Sequence, residues 1–139
     1  IGTGDWSSDV CSSDLAENKF AKFWIDDHTV HFIYNDGVYV DFEAAQKIVQ
    51  ERLQLQKGKS YPVFCDMTGL VGSDKNARDY LANEGSKLVK AVAALVSNPM
   101  TRMMLNFYLK INKPKTPTRS FTKKADALEF LKTYIEEVV

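Results

Sequence analysis

Asp66 and Asp74 stand eight residues apart, with Thr68 and Ser73 between them and Arg78 four residues further on. Carboxylates, hydroxyls and a guanidinium gathered at one strand-to-helix connection suit the recognition of an anion or a polar partner. The amides of a helix's first turn are unpaired, and arginine offers a planar fork of donors. Asn98, ahead of Pro99, and Arg102 repeat the arrangement one unit later. Plainer roles are open to the same residues. Asp66 can bond the amides of its own loop, while Ser73, Asp74 and Asn98 can cap helices. One catalytic arrangement is in view, with Asp66 as general base and Arg78 or Arg102 as anion clamp.

Other reactive groups carry less. His28 and His31 are three apart across a turn and a strand, where their side chains diverge, and no further His or suitable Cys stands near to complete a metal site. Cys65 sits inside an apolar run and reads as an inert core thiol, since a nucleophilic cysteine needs a base beside it. Lys57, Lys59, Lys113, Lys115 and Arg119 collect at the opposite edge, a basic rim open to an acidic partner or a phospholipid surface. Met100, Met103, Met104, Phe107 and Ile111 fall at helical spacing and read as a core stripe. Adaptable methionines also suit an apolar or lipid-like ligand.

The elements that must position these groups follow from periodicity. Residues 20–25, 29–34 and 38–40 are short β-branched and aromatic runs; Asp36-Gly37 separates the last two, a strong hairpin signal, so they predict an antiparallel meander. Asp41 caps a helix whose stripe is Phe42, Ala45, Ile48, Val49 and Leu53. A strand over 61–67 ends at Thr68-Gly69; Ser73 or Asp74 caps a second helix with Ala77, Tyr80 and Leu81 inward. A strand over 88–96 leads to a third helix opening at Asn98-Pro99. A short strand over 119–121 precedes a helix capped by Thr122, with Ala127, Leu128, Leu131, Ile135 and Val138 inward. Alternating strands and helices imply parallel neighbours, so the expectation is one α/β domain: a meander, then βα units, in a mixed sheet packed with about four helices.

The start of the chain is of a different kind. Residues 5–15 read DWSSDVCSSDL, letter for letter one reading frame of a common short-read library adapter, and Ile1 to Gly4 fit the bases upstream. Residues 1–15 are therefore expected to be a disordered, non-native leader, with a single domain over 16–139. Removing Asp5, Asp9 and Asp14 moves the formal charge from zero to +3, and losing Cys11 leaves Cys65 alone, so no internal disulfide is expected. No apolar run reaches membrane-spanning length. Mild positive charge without a basic arm argues against nucleic acid. A cytoplasmic, bacterial-type domain without metal or cofactor is expected.

The segment Cys65-Asp66-Met67-Thr68-Gly69-Leu70 followed by Ser73-Asp74 resembles the STAS domains of anti-sigma-factor antagonists. Asp66 and Asp74 fall on the two Asp positions of that frame, and Thr68 stands for its first Ser. The antagonists open the next helix with Ser-Ser, the second of which is phosphorylated; this chain has Lys75 and Asn76 there. From about Phe23 the chain also resembles an uncharacterised family of short bacterial proteins, through FWID, GKSYPVFCDMTGL, ARDYLANEG, NFYLKINKPKTPTRSFT and ALEFL. The resemblance implies a STAS-like fold and a regulatory or protein-interaction role without that phospho-switch. Binding of a small apolar or lipid-like ligand is the alternative.

Overall fold

The computed structural model describes residues 15–135. Of the expected leader, residues 1–14 lie outside that range. Leu15 lies inside it and opens strand β1 (Leu15–Glu17), opposite Trp24 of β2 (Ala21–Asp26). β2 turns back on β3 (Thr29–Tyr34) through Asp27 and His28, whose φ of 52° and 60° are the left-handed pair that a two-residue hairpin turn requires.

The predicted meander is corrected at its third strand. The chain does turn at Asp36-Gly37, with Gly37 at φ 76°, but β4 (Val38–Val40) does not return along β3. It pairs in parallel with β6 (Leu70–Ser73), a four-residue strand that the expected elements do not include, in a small second sheet. Two contacts explain this. The Val38 amide donates to the Gly69 carbonyl at 3.0 Å. Gly69 also lies so close under the turn that a Cβ there would stand 2.4 Å from the Asn35 carbonyl oxygen. The edge of β3 is taken instead by β5 (Tyr61–Asp66), in parallel.

The main sheet has six strands in the order β1-β2-β3-β5-β7-β8, with β7 (Val89–Leu95) and β8 (Thr118–Phe121) completing its parallel half. An extra residue in β7, between the pairs Tyr61–Val89 and Val63–Val92, resets which side chains face which side. Val63, Ala94 and Val96 then share one core with Phe23, Val30 and Phe32, while Phe64, Ala91 and Ala93 face the other.

The first three α-helices each start on a side-chain cap. Asp41 accepts from the Ala44 amide at 2.8 Å to open α1 (Phe42–Gln56), and Asp74 accepts from Ala77 at 2.8 Å to open α2 (Lys75–Asn83). Asn98 and Thr101 form a reciprocal capping box at α3 (Pro99–Phe107). That helix runs on into a π turn, Tyr108–Asn112. Thr122 does not cap the last helix, α4 (Lys124–Lys132); Lys123 holds the cap position and makes no side-chain bond. Ala127 and Leu131 of α4 are buried, and Val138 lies outside the described residues.

Helices α1, α2 and α3 cover one face of the sheet through Ala44, Ala45, Ile48, Ala77 and Leu105, and α4 covers the other through Ala127 and Leu131. A fully enclosed Phe23 or Phe64 contributes about 1.5–3 kcal/mol to such cores. The methionine stripe is the second correction. Met100, Met103, Phe107 and Ile111 are 54, 68, 49 and 57% exposed, and only Met104 turns inward, beside Leu105. Thr101 and Leu105 are the buried residues of α3, so this helix carries apolar side chains on two sides and packing takes one of them.

Candidate functional site

Between the sheet and helices α1–α3 lies a half-enclosed cavity of about 170 Å³. Its floor is the sheet: Phe32 and Tyr34 from β3, Val63 and Cys65 from β5, Val92 and Ala94 from β7. Ile48, Val49 and Arg52 of α1, Arg78 and Leu81 of α2, and Met104, Leu105 and Tyr108 of the α3 segment form its roof, with Leu70 and Ser73 of β6 closing one side. The small residue Ala94, buried at the centre of the sheet, leaves room that a larger side chain would fill. Among the described residues no Asp, Glu or His lines this space.

The polar groups on its wall are held in defined states. Burial pushes the Cys65 thiol up to about 12, helped by neighbouring Asp66, so it stays protonated. Burial and the nearby Cys65 also raise the Tyr34 and Tyr108 hydroxyls above their ordinary range. Arg52 is 5% exposed, and its guanidinium donates to the Gly85 carbonyl at 3.1 Å, to the Lys87 carbonyl at 3.3 Å, and to Gln56. Burial lowers it to about 10, where it remains a cation at neutral pH. Gln56 is buried too and donates to the Lys59 and Leu88 carbonyls. Arg78 reaches back so that Nη1 donates to the Ser73 carbonyl at 2.6 Å, and its guanidinium sits 5.3 Å from the centre of the Phe107 ring.

The residues singled out from sequence separate into three groups. Ser73 and Arg78 line the cavity. Asn98 and Arg102 line a second, more open groove at the C-terminal ends of β7 and β8, together with Ser97, Met103, Asn106 and Thr122. Asp66 lines neither; its Oδ1 accepts from the Thr68 amide at 2.9 Å, which is the loop-bonding role, and Asp74 caps α2. The pairing of Asp66 with an arginine is therefore not assembled in either recess. Lys75, where the antagonists carry a Ser, is paired with Asp79 at 2.8 Å.

The basic rim is only partly brought together. Lys57 caps the end of α1, Lys59 follows it, and Lys113 and Lys115 lie in the loop entering β8, so these four share the N-terminal side of the parallel strands. Arg119 leaves the group: its guanidinium lies over the Phe121 and Phe130 rings at 5.5 and 5.3 Å, on the α4 side. Arg52 and Gln56, both buried, are not among the residues expected at a site. They continue the α1 stripe at the helical spacing of Ile48 and Val49, and a cation at a core position was the signal available.

His31 lies under the other face, stacked on Trp24 at 5.4 Å and tilted against Phe64 at 5.9 Å. Among the described residues no three His, Cys, Asp or Glu side chains form a group that could hold a metal ion. None of their helices is long and apolar enough to cross a membrane.

The family described as "Domain of unknown function (DUF7793)" matches this chain over residues 23–135. No curated protein matches it. Among solved structures, an uncharacterised protein of the DUF3478 family from Shewanella loihica PV-4, described as having a SpoIIAA-like fold, superposes with a TM-score of 0.57. The two are 16% identical, over 84% of this chain and 98% of that one, a likeness that shows the shared fold.

Proposed function

The chain belongs to the DUF7793 family and has the SpoIIAA-like, STAS-like fold, and from these we propose that it is a non-catalytic regulatory module that takes a small apolar ligand between its sheet and helices α1–α3. The observation that carries this reading is the cavity of about 170 Å³, walled by apolar side chains with a few polar groups converging on it. Protein interiors are otherwise packed to the density of organic crystals, so a void of this size is an exception that a bound molecule would fill. The wall chemistry favours binding over reaction. The thiol and both phenols are held protonated, and among the described residues no carboxylate or imidazole lines the cavity to move a proton.

Thermal unfolding in the presence of 1-octanol, an apolar probe, tests the reading. Ligand at about 100 times its Kd stabilises a domain by about 2.7 kcal/mol, which raises Tm by several degrees at this chain length. That rise is expected for the wild type and is expected to vanish in Ala94→Leu, whose extra methylenes occupy the space. A wild-type Tm that 1-octanol does not raise, or an equal rise in both proteins, contradicts the proposal.

A second reading, association with an acidic protein surface, draws on a separate feature. Residues 85–125 contain nine of the chain's 18 Lys and Arg and no Asp or Glu, and they include the exposed Met100, Met103, Phe107 and Ile111. An apolar stripe within a cationic segment suits a partner with an apolar patch rimmed by carboxylates.

A further inference from the structure

Two arginines border an apolar cavity that no carboxylate of the described residues lines. Among the described residues neither Arg52 nor Arg78 forms an ion pair. Such an arrangement is expensive, because a partly desolvated cation is ordinarily matched by an anion or moved to solvent.

The two differ in what they have left to give. Arg52 spends both terminal nitrogens on the Gly85 and Lys87 carbonyls and on Gln56, and so acts as a fixed cross-link between α1 and the 3₁₀ turn at Glu84–Ser86. Arg78 spends only Nη1, on Ser73. Its Nε is buried and bonds to no acceptor, and its guanidinium is steadied by the Phe107 ring. A guanidinium with an idle buried donor, oriented by an aromatic ring at an apolar recess, is suited to receive an oxyanion.

We propose that the cavity's ligand is an amphiphile with an anionic oxygen head, and that Arg78 is the counter-charge that receives that head while the apolar wall takes its tail. This rests on the cavity being a ligand site at all. The ligand class is a small carboxylate on a hydrocarbon body. Cavities of about 150 Å³ accept benzene, so the enclosed part suits a medium chain or a single ring. A long acyl chain would have to leave through the open side. Carboxylate recognition needs the fork of Arg78, with the Ser73 hydroxyl, 3.5 Å from Nη1, as a neighbouring donor.

Equilibrium binding of octanoate, 1-octanol and inorganic phosphate to the whole chain separates the contributions of tail and head. The expected result is octanoate binding at least about tenfold more tightly than octanol, as a charge-assisted hydrogen bond warrants, with phosphate alone far weaker than octanoate. Arg78→Met is expected to bring octanoate to the level of octanol while octanol binding is kept. Arg78→Lys, which keeps the charge and loses the fork, is expected to fall between them. If Arg78→Met does not fold, acidifying the wild type below the octanoate carboxyl's own pKa serves instead, and the advantage over octanol should disappear. Octanol binding as tightly as octanoate, or an advantage that survives Arg78→Met or acidification, overturns this inference and leaves the apolar cavity reading standing. Binding of neither tailed compound overturns both, and phosphate binding as tightly as octanoate shows an anion site without a tail.

Discussion

Single residues in this domain are tuned more by burial than by partners. His31 is the clearest case. It is 8% exposed, and that burial, followed by the positive charge of Lys124, lowers its pKa from the usual 6.5, while Asp26 and Asp27 pull weakly the other way. The folded protein therefore refuses a proton that the unfolded chain accepts. The stability His31 contributes is complete above about pH 6.5 and is lost as pH falls from there through the lower folded value. His31→Phe keeps the ring against Trp24 and removes the titration. Urea midpoints measured at about pH 7 and pH 5.5 should fall more for the wild type than for the variant. Equal falls would show that the acid sensitivity has another source. Asp79, held below its ordinary 3.8 by the Lys75 hydrogen bond, acts only in a more acidic range. None of this was legible in the sequence, where His31 is one aromatic among several; its burial comes from Phe64 and Trp24 on neighbouring strands.

At the scale of elements, what local chemistry controls could be read, and what distant pairing controls could not. The caps at Asp41, Asp74 and Asn98 and the stripe of α1 at Ala45, Ile48 and Val49 follow from short-range rules, and the structure has them. β4 is the strand expected at residues 38–40, but its pairing is not legible, because its partner, β6, lies about thirty residues on and has only four residues to announce it. The inward side of α3 is not legible because both its sides are apolar; Leu105 and Met104 take the core by packing, which periodicity alone cannot rank. The junction of β4 with β6 depends on Gly69, and Gly69→Ala tests it. A methyl group 2.4 Å from the Asn35 carbonyl oxygen must displace backbone on one side or the other. The expected cost is about 1–3 kcal/mol, read by denaturant titration with an unchanged slope. A variant as stable as the wild type would show that this crossing is looser than described.

For the whole molecule, the SpoIIAA-like scaffold gives one sheet two unequal faces. Among the described residues α4 covers one, through a small core of alanines around Phe64 and Leu131. Three helices arch over the other and leave a recess lined, among the described residues, by two cations and no anion. The predicted site residues Ser73 and Arg78 border that recess, whereas Asp66, Thr68 and Asp74 hold the loop beside it. Of the residues that spacing in the sequence groups at this connection, two reach the proposed recess, and Asp66 bonds its own loop. The floor residues of β3, β5 and β7 read simply as core, because a cavity wall and a packed core have the same composition.

Titrating isotopically labelled protein with octanoate and following backbone amide and methyl resonances tests the central claim most directly. Shifts that saturate together and cluster on Val63, Val92, Ala94, Leu105 and Tyr108 are the predicted result. Shifts confined to Met100, Met103, Phe107 and Ile111 on the outer side of α3, or no saturable shifts at all, would contradict it.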